Sequence, residues 1–152
     1  MHEFDDFDRR ILGHIQTNAD TPVAELGEAV GLSRNACWRR IKMLEEMGYI
    51  ERRVALVNPK RAGLPLMVFI QVRAGHHDKN WLEQFKRAVR SIPQIMGAHR
   101  MTGDLDYLIR ARVADMEDYD RLYQRLIAAV DLSDVSASFV MEDIKDTTAL
   151  PL

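Results

Sequence analysis

Apolar residues at Phe7, Ile11, Leu12 and Ile15 recur at the spacing of one helical face, and Asp5 or Asp6 can cap the start. That pattern predicts a first helix over residues 6–17, broken by Asn18-Ala19-Asp20. Thr21-Pro22 then offers a capping hydroxyl before a proline at the first helical position. A second helix follows, with Val23, Leu26 and Val30 on its inner face and Gly31 at its end. Only Leu32 separates Gly31 from Ser33, a good N-cap for a third helix whose inner stripe is Cys37, Ile41 and Leu44 and which Gly48 terminates. Two short helices meeting across a glycine-containing turn predict a helix-turn-helix. Tyr49 to Val57, with β-branched and aromatic residues around Arg52-Arg53, fits a small wing or linker strand ending at Asn58-Pro59.

After Pro65 the period changes. Leu66–Arg73 is nearly all apolar, as expected of a strand packed on both faces. Trp81, Leu82, Phe85, Ala88, Val89 and Ile92 mark an amphipathic helix. Ile95–Thr102 and Tyr107–Val113 read as strands around the turn Gly103-Asp104-Leu105-Asp106. Met116, Tyr119, Leu122, Tyr123, Leu126, Ile127 and Val130 mark another helix, and Val135 to Asp143 a last strand with Val135, Ala137, Phe139 and Met141 on one face. The expected class is therefore α+β: a winged helix-turn-helix over residues 1–60, joined to a ferredoxin-like β-α-β-β-α-β domain over residues 61–152. Two helices cover one sheet face. A second copy of the chain is the simplest cover for the other.

Net charge is −2 over 152 residues, so the total says nothing about nucleic acid, but its distribution does. Residues 1–32 carry 2 basic and 7 acidic side chains, residues 33–61 carry 8 and 3, and the remainder 11 and 13. A basic block centred on the third helix is a candidate footprint for phosphate. With Cys37, Ile41 and Leu44 inward, Arg34, Asn35, Trp38, Arg39 and Lys42 fall on the outer face. Arg34 and Asn35, near the helix N-terminus, suit base edges. Arg39, Arg40 and Lys42 suit phosphates, as do the N–H groups beside Ser33 and the wing residues Arg52 and Arg53. Which of the arginines reads a base is left open. The expected partner is double-stranded DNA, because a helix-turn-helix fits a major groove that A-form RNA does not offer.

Other chemistry is sparse. No catalytic triad, phosphate loop, metal cluster or pair of catalytic carboxylates is present, so neither an enzyme nor a cofactor is expected. His76-His77 lacks partners at ligand spacing, and the one cysteine, Cys37, sits at an inward helix position that suits a core residue. No apolar run approaches the twenty or so residues that span a bilayer, and the acidic start does not resemble a secretory signal, so a cytoplasmic protein is expected.

Several stretches together resemble the leucine-responsive/asparagine-responsive regulator (Lrp/AsnC) family over essentially the whole length. In the first half these are Asp6-Phe7-Asp8-Arg9-Arg10-Ile11-Leu12, Val30-Gly31-Leu32-Ser33, Cys37-Trp38-Arg39-Arg40-Ile41 and Leu44-Glu45-Glu46-Met47-Gly48-Tyr49-Ile50. In the second they are Thr102-Gly103-Asp104-Leu105-Asp106-Tyr107-Leu108 and Val140-Met141-Glu142. The resemblance implies homodimers built through the C-terminal domains, assembling further to tetramers or octamers, and an amino-acid effector bound where those domains meet. Gly75-His76-His77, Arg100-Met101-Thr102-Gly103, Val113-Ala114-Asp115-Met116 and Thr147-Thr148-Ala149-Leu150-Pro151 resemble a branch associated with cysteine detoxification, which puts cysteine first among effectors.

The segment Thr102 to Tyr107 supports two readings. It is a plain hairpin turn, with Gly103 supplying positive φ and aspartates bonding backbone. It also suits a zwitterion: backbone at Thr102-Gly103 can approach a carboxylate, Asp104, Asp106 or Glu142 can meet an ammonium, and Tyr107 lies beside them. If only the first holds, the chain is a ligand-independent DNA-binding or architectural regulator whose C-terminal domain serves assembly alone.

Overall fold

A computed structural model describes residues 4–75 and 78–152. The chain divides into two compact units, Met1–Leu56 with Ile144–Leu152, and Val57–Asp143. The first boundary lies a few residues before the expected one at 60. The last nine residues return to the first unit, which sequence pattern did not anticipate. No helix among the described residues is long and apolar enough to cross a membrane.

The first unit holds α1 (Asp6–Thr17), α2 (Val23–Val30) and α3 (Arg34–Glu46). Their inward stripes meet in one cluster of Ile11, Leu12, Leu26, Val30, Cys37, Ile41 and Leu44. Asp5, not Asp6, caps α1. Its side chain accepts from the Asp8 N–H at 3.0 Å while Asp8 accepts from the Asp5 N–H at 3.1 Å, a reciprocal capping box. Pro22 occupies the N-cap of α2, and no side-chain bond caps that helix. The Thr21 hydroxyl, expected there, instead donates back to the Asn18 carbonyl at 3.1 Å.

Gly31 ends α2 in the left-handed region at φ 77. The Leu32 N–H then bonds the Gly27 carbonyl at 2.8 Å and the Gly31 N–H bonds Glu28 at 3.2 Å, the paired bonds of a Schellman motif. The same turn presses on α2. A methyl group added at Gly27 would lie 2.8 Å from the Leu32 carbonyl oxygen, closer than atoms of this kind pack. A glycine inside a helix costs about 1 kcal/mol against alanine, and here it permits the backbone contact that sets α3 against α2.

Residues 51–57 form no strand, contrary to the expected wing or linker strand, because nothing among the described residues pairs with their backbone. Val54, Leu56 and Val57 lie exposed.

The second unit holds β1 (Leu66–Ala74), α4 (Lys79–Ser91), β2 (Ile95–Arg100), β3 (Tyr107–Val113), α5 (Met116–Ala129) and β4 (Leu132–Phe139). The sheet order is β2-β3-β1-β4, antiparallel throughout, as the β-α-β-β-α-β reading requires. Val68, Ile70 and Val72 of β1 stand beside Ala111, Ile109 and Tyr107 of β3, and these six face Trp81, Phe85, Leu122 and Leu126 of the helices. Alternate residues Phe69, Gln71, Leu108 and Arg110 are only half-buried, so β1 is not covered on both faces within one chain.

Two strand ends differ from expectation. β2 stops at Arg100 because its partner β3 begins at Tyr107. β4 runs three residues earlier than its apolar alternation implied, since it must pair with β1 from Ala74 to Val68. Just beyond Phe139 the Val140 N–H still bonds the sheet, at Met67, and Met141 is fully exposed.

Two buried carboxylates brace the units. In the second, Asp118 accepts from the Ala114 N–H at 3.0 Å, from Gln94 at 3.0 Å and from Arg121 at 3.3 Å, and these bonds hold its carboxyl below the usual range. In the first, Arg40 reaches inward. Its guanidinium lies 2.8 Å from Asp8, which is wholly buried, and 2.9 Å from Asp5, tying α3 to the cap of α1. Removing one partner of such a pair strands the other charge. We expect Arg40→Ala to lower the unfolding free energy by about 3 kcal/mol, and Arg39→Ala to stay within about 0.5 kcal/mol of the parent. Urea denaturation followed by tryptophan fluorescence checks this; equal midpoints for the two variants would refute it.

Candidate functional site

Burying Cys37, Ile41 and Leu44 decides which way the rest of α3 faces. Ser33 starts it, accepting from the Ala36 N–H at 3.2 Å. Arg34, Asn35, Trp38, Arg39 and Lys42 are all exposed, and Trp38 keeps half its surface in water. Among the described residues no ion pair engages Arg34, Arg39 or Arg52. Their charges stand ready for an external anion.

Three other cations differ. Arg40, expected at phosphate, is turned away by its bonds to Asp5 and Asp8, with the Phe7 ring 5.3 Å from its guanidinium. Lys42 and Arg53 converge on Glu45, at 2.7 Å and 3.1 Å. The hydrogen bond from Lys42, reinforced by the field of both cations, holds the Glu45 carboxyl below its ordinary value. Exposed pairs of this kind are worth little, so a phosphate can displace Glu45. Arg53 also donates to the Ala19 carbonyl at 3.4 Å, and Arg52 points into solvent from the same unpaired arm.

At the second candidate site, the Met101 N–H donates to the Asp106 carbonyl at 2.9 Å and closes the turn, with Gly103 at φ 98. No L side chain adopts that conformation without strain. Thr102, Gly103 and Asp104 are exposed. Asp106 and Tyr107, expected among the effector contacts, are engaged by the fold. The Asp106 carboxylate accepts from the Ala74 N–H at 2.8 Å and its N–H donates to the Val72 carbonyl at 3.2 Å, which pins the turn to the end of β1. Tyr107 is buried against Phe85 and Trp81, with ring centroids 4.5 and 5.5 Å away.

Glu142 is not brought to this turn. Asp106 bonds Val72 whereas Val140 bonds Met67, five residues back along β1. At strand rise that is roughly 16 Å, far beyond the reach of one amino acid's two charged groups. Glu142 can share a ligand with Gly103 only across two chains.

Cys37 is fully buried, and burial pushes its thiol up, so it is core and not a reactive thiolate. His76-His77 lie outside the described residues, and among the described ones no cluster of His, Cys, Asp or Glu could hold a metal. Sequence reasoning missed the close approach at Gly27 and the Arg40 network. Gly27 did carry a signal: a glycine beside the Leu26–Val30 stripe of a short helix asks for a packing reason.

Both halves match known families. Residues 4–51 fit the winged helix-turn-helix DNA-binding model, and residues 67–150 fit the Lrp/AsnC ligand binding domain. The glutamate uptake regulatory protein of Zymomonas mobilis is 45% identical over the whole of this chain and 93% of its own. The DNA-binding transcriptional activator DecR of Escherichia coli is 42% identical over 97% of this chain and 98% of its own. A crystal structure of a Neisseria meningitidis transcriptional regulator in complex with L-methionine superposes with a TM-score of 0.93. It is 35% identical and covers 98% of this chain and 97% of that one. These relatives are regulators and not enzymes, and the N-terminal match is to a DNA-binding module. The chain belongs to the Lrp/AsnC family: it is a DNA-binding transcription regulator with an N-terminal winged helix-turn-helix and a C-terminal amino-acid-binding domain.

Proposed function

We propose that two copies of this chain set α3 into successive major grooves of double-stranded DNA, and that a small amino acid held by the C-terminal domains alters that binding. The observation that carries the DNA contact is the outward half of α3, where Arg34, Asn35 and Arg39 are exposed and, among the described residues, neither arginine is in an ion pair. Arg34 and Asn35, next to the helix start, read base edges. Arg39, Lys42, Arg52 and Arg53 meet phosphates, with the N–H groups at Ser33. Trp38 packs on the sugar-phosphate wall. Arg40 acts indirectly, by holding α3 in place.

The homodimer is supported by the sheet face that no helix covers. Phe69, Gln71, Leu108 and Arg110 on that face are only half-buried within one chain, leaving area that a second copy can cover. Two or four such dimers then assemble to a tetramer or octamer. The effector takes its carboxylate to the backbone at Thr102-Gly103 and its ammonium to Asp104, with Glu142 supplied by another chain. Cysteine, which the branch resemblance puts first, and methionine, found with the Neisseria relative, are the leading effectors. A ligand-independent regulator is the second reading, favoured by the structural duties of Asp106 and Tyr107.

Arg39→Ala and Arg52→Ala should each weaken binding to every DNA sequence and reduce the salt slope by about 0.9. Arg34→Ala or Asn35→Ala should instead relax preference at one or two base pairs by about 1–3 kcal/mol. Fluorescence anisotropy from 50 to 200 mM salt measures both, and binding that ignores salt would contradict the electrostatic account.

Gly103→Val should abolish the amino-acid response while leaving DNA affinity in its absence unchanged. Asp104→Asn should weaken effector binding by about 1.5–3 kcal/mol. Calorimetry with all twenty amino acids, cysteine kept reduced, tests this; no heat up to millimolar concentration would establish the ligand-independent reading.

A further inference from the structure

The last nine residues leave the C-terminal unit and join the DNA-binding one. Gln16 on α1 holds them there. The Leu150 N–H donates to its Oε1 at 2.6 Å, and its Nε2 donates to the Leu150 carbonyl at 3.2 Å. A side-chain amide that answers both backbone groups of one residue stands in for a neighbouring strand, and it reads extended backbone and not side-chain identity.

Thr148 lines a groove of about 750 Å³ together with the end of α1 and residues 49–56. One wall is thus the arm that lacks a strand partner and carries Arg52, Arg53 and the exposed Val54 and Leu56. Arg53 joins this wall to the other through the Ala19 carbonyl. Chain that is unpaired and apolar along one edge is a template for an added extended segment.

We propose that this groove is a docking surface for the chain's own C-terminal peptide, read by Gln16, and that the docked peptide orders the arm presenting Arg52 and Arg53 to DNA. An arm ordered before DNA arrives loses less freedom on binding. The peptide follows β4 directly in sequence, so the amino-acid-binding domain is tied to the DNA-binding unit at both of its ends.

The test compares the full chain, Gln16→Ala, a chain truncated after Asp146, and the truncation combined with Gln16→Ala. Without DNA, the Leu150 amide should exchange at least tenfold slower in the full chain than in Gln16→Ala. A labelled peptide of residues 146–152 should bind the truncated chain and not the combined variant. With DNA, Gln16→Ala and the truncation should each weaken binding three- to tenfold, with no further loss when combined, and the peptide should restore the truncated chain. An unprotected Leu150 amide in the full chain, or a peptide that binds with and without Gln16 alike, overturns the docking surface. Equal DNA affinity in all four forms overturns its effect on the arm. That last effect rests on the wing contact proposed above. If no form binds DNA, that function fails, and the exchange and peptide measurements still decide the groove.

Discussion

A missing methyl group at Gly27 is the constraint on which the DNA-binding unit depends. The backbone of α2 passes so near the Leu32 carbonyl that a Cβ would sit 2.8 Å from it, and the Leu32 N–H closes the same gap with a bond to the Gly27 carbonyl. That contact fixes where α2 stops and where Ser33 begins α3. Once α3 is placed, burial of Cys37, Ile41 and Leu44 leaves one orientation, and the side chains for DNA follow from it. The helix gives up about 1 kcal/mol of propensity at that position to gain a defined turn.

Charge in this unit is divided by burial. Arg40, part-buried against a wholly buried Asp8, is committed to the fold, and a lost partner there is costly. Lys42 and Arg53 share Glu45 in the open, where water and salt screen the pairs, so they can be recruited by phosphate. Arg34 and Arg39 have no such partner among the described residues. A basic helix face is therefore not uniform: of two cations one residue apart, Arg40 is tied into the fold and Arg39 is exposed to solvent.

Much of this was legible in the sequence. The period of 3.6 in Phe7–Ile15 and Met116–Val130, the alternation in Tyr107–Val113 and the glycines at 31 and 48 placed the helices, the central strands and the turn. The reason is that burial of one face writes its period into the chain. Strand ends were less legible, because β2 and β4 stop where their partners stop, and a partner is set by register and not by local pattern. The candidate site residues were chosen by type, and type did not reveal the internal contacts of Arg40, Asp106 and Tyr107. Each has the right chemistry for a ligand and is engaged by a contact distant in sequence: Arg40 with Asp8, Asp106 with Ala74, Tyr107 with Phe85. Nothing in the neighbourhood of Leu150 announced its bond to Gln16, 134 residues away.

The account turns on α3 being held for DNA by the close approach at Gly27, and Gly27→Ala tests it by sign. Alanine favours a helix over glycine by about 1 kcal/mol, so if the contact were idle the variant would be more stable and bind DNA as before. The steric argument predicts the reverse. Anisotropy titration of the full-length variant should show specific DNA affinity reduced at least tenfold, with dimerisation and amino-acid binding by the C-terminal domain unchanged. DNA affinity equal to that of the parent, with a raised melting temperature, would contradict the account.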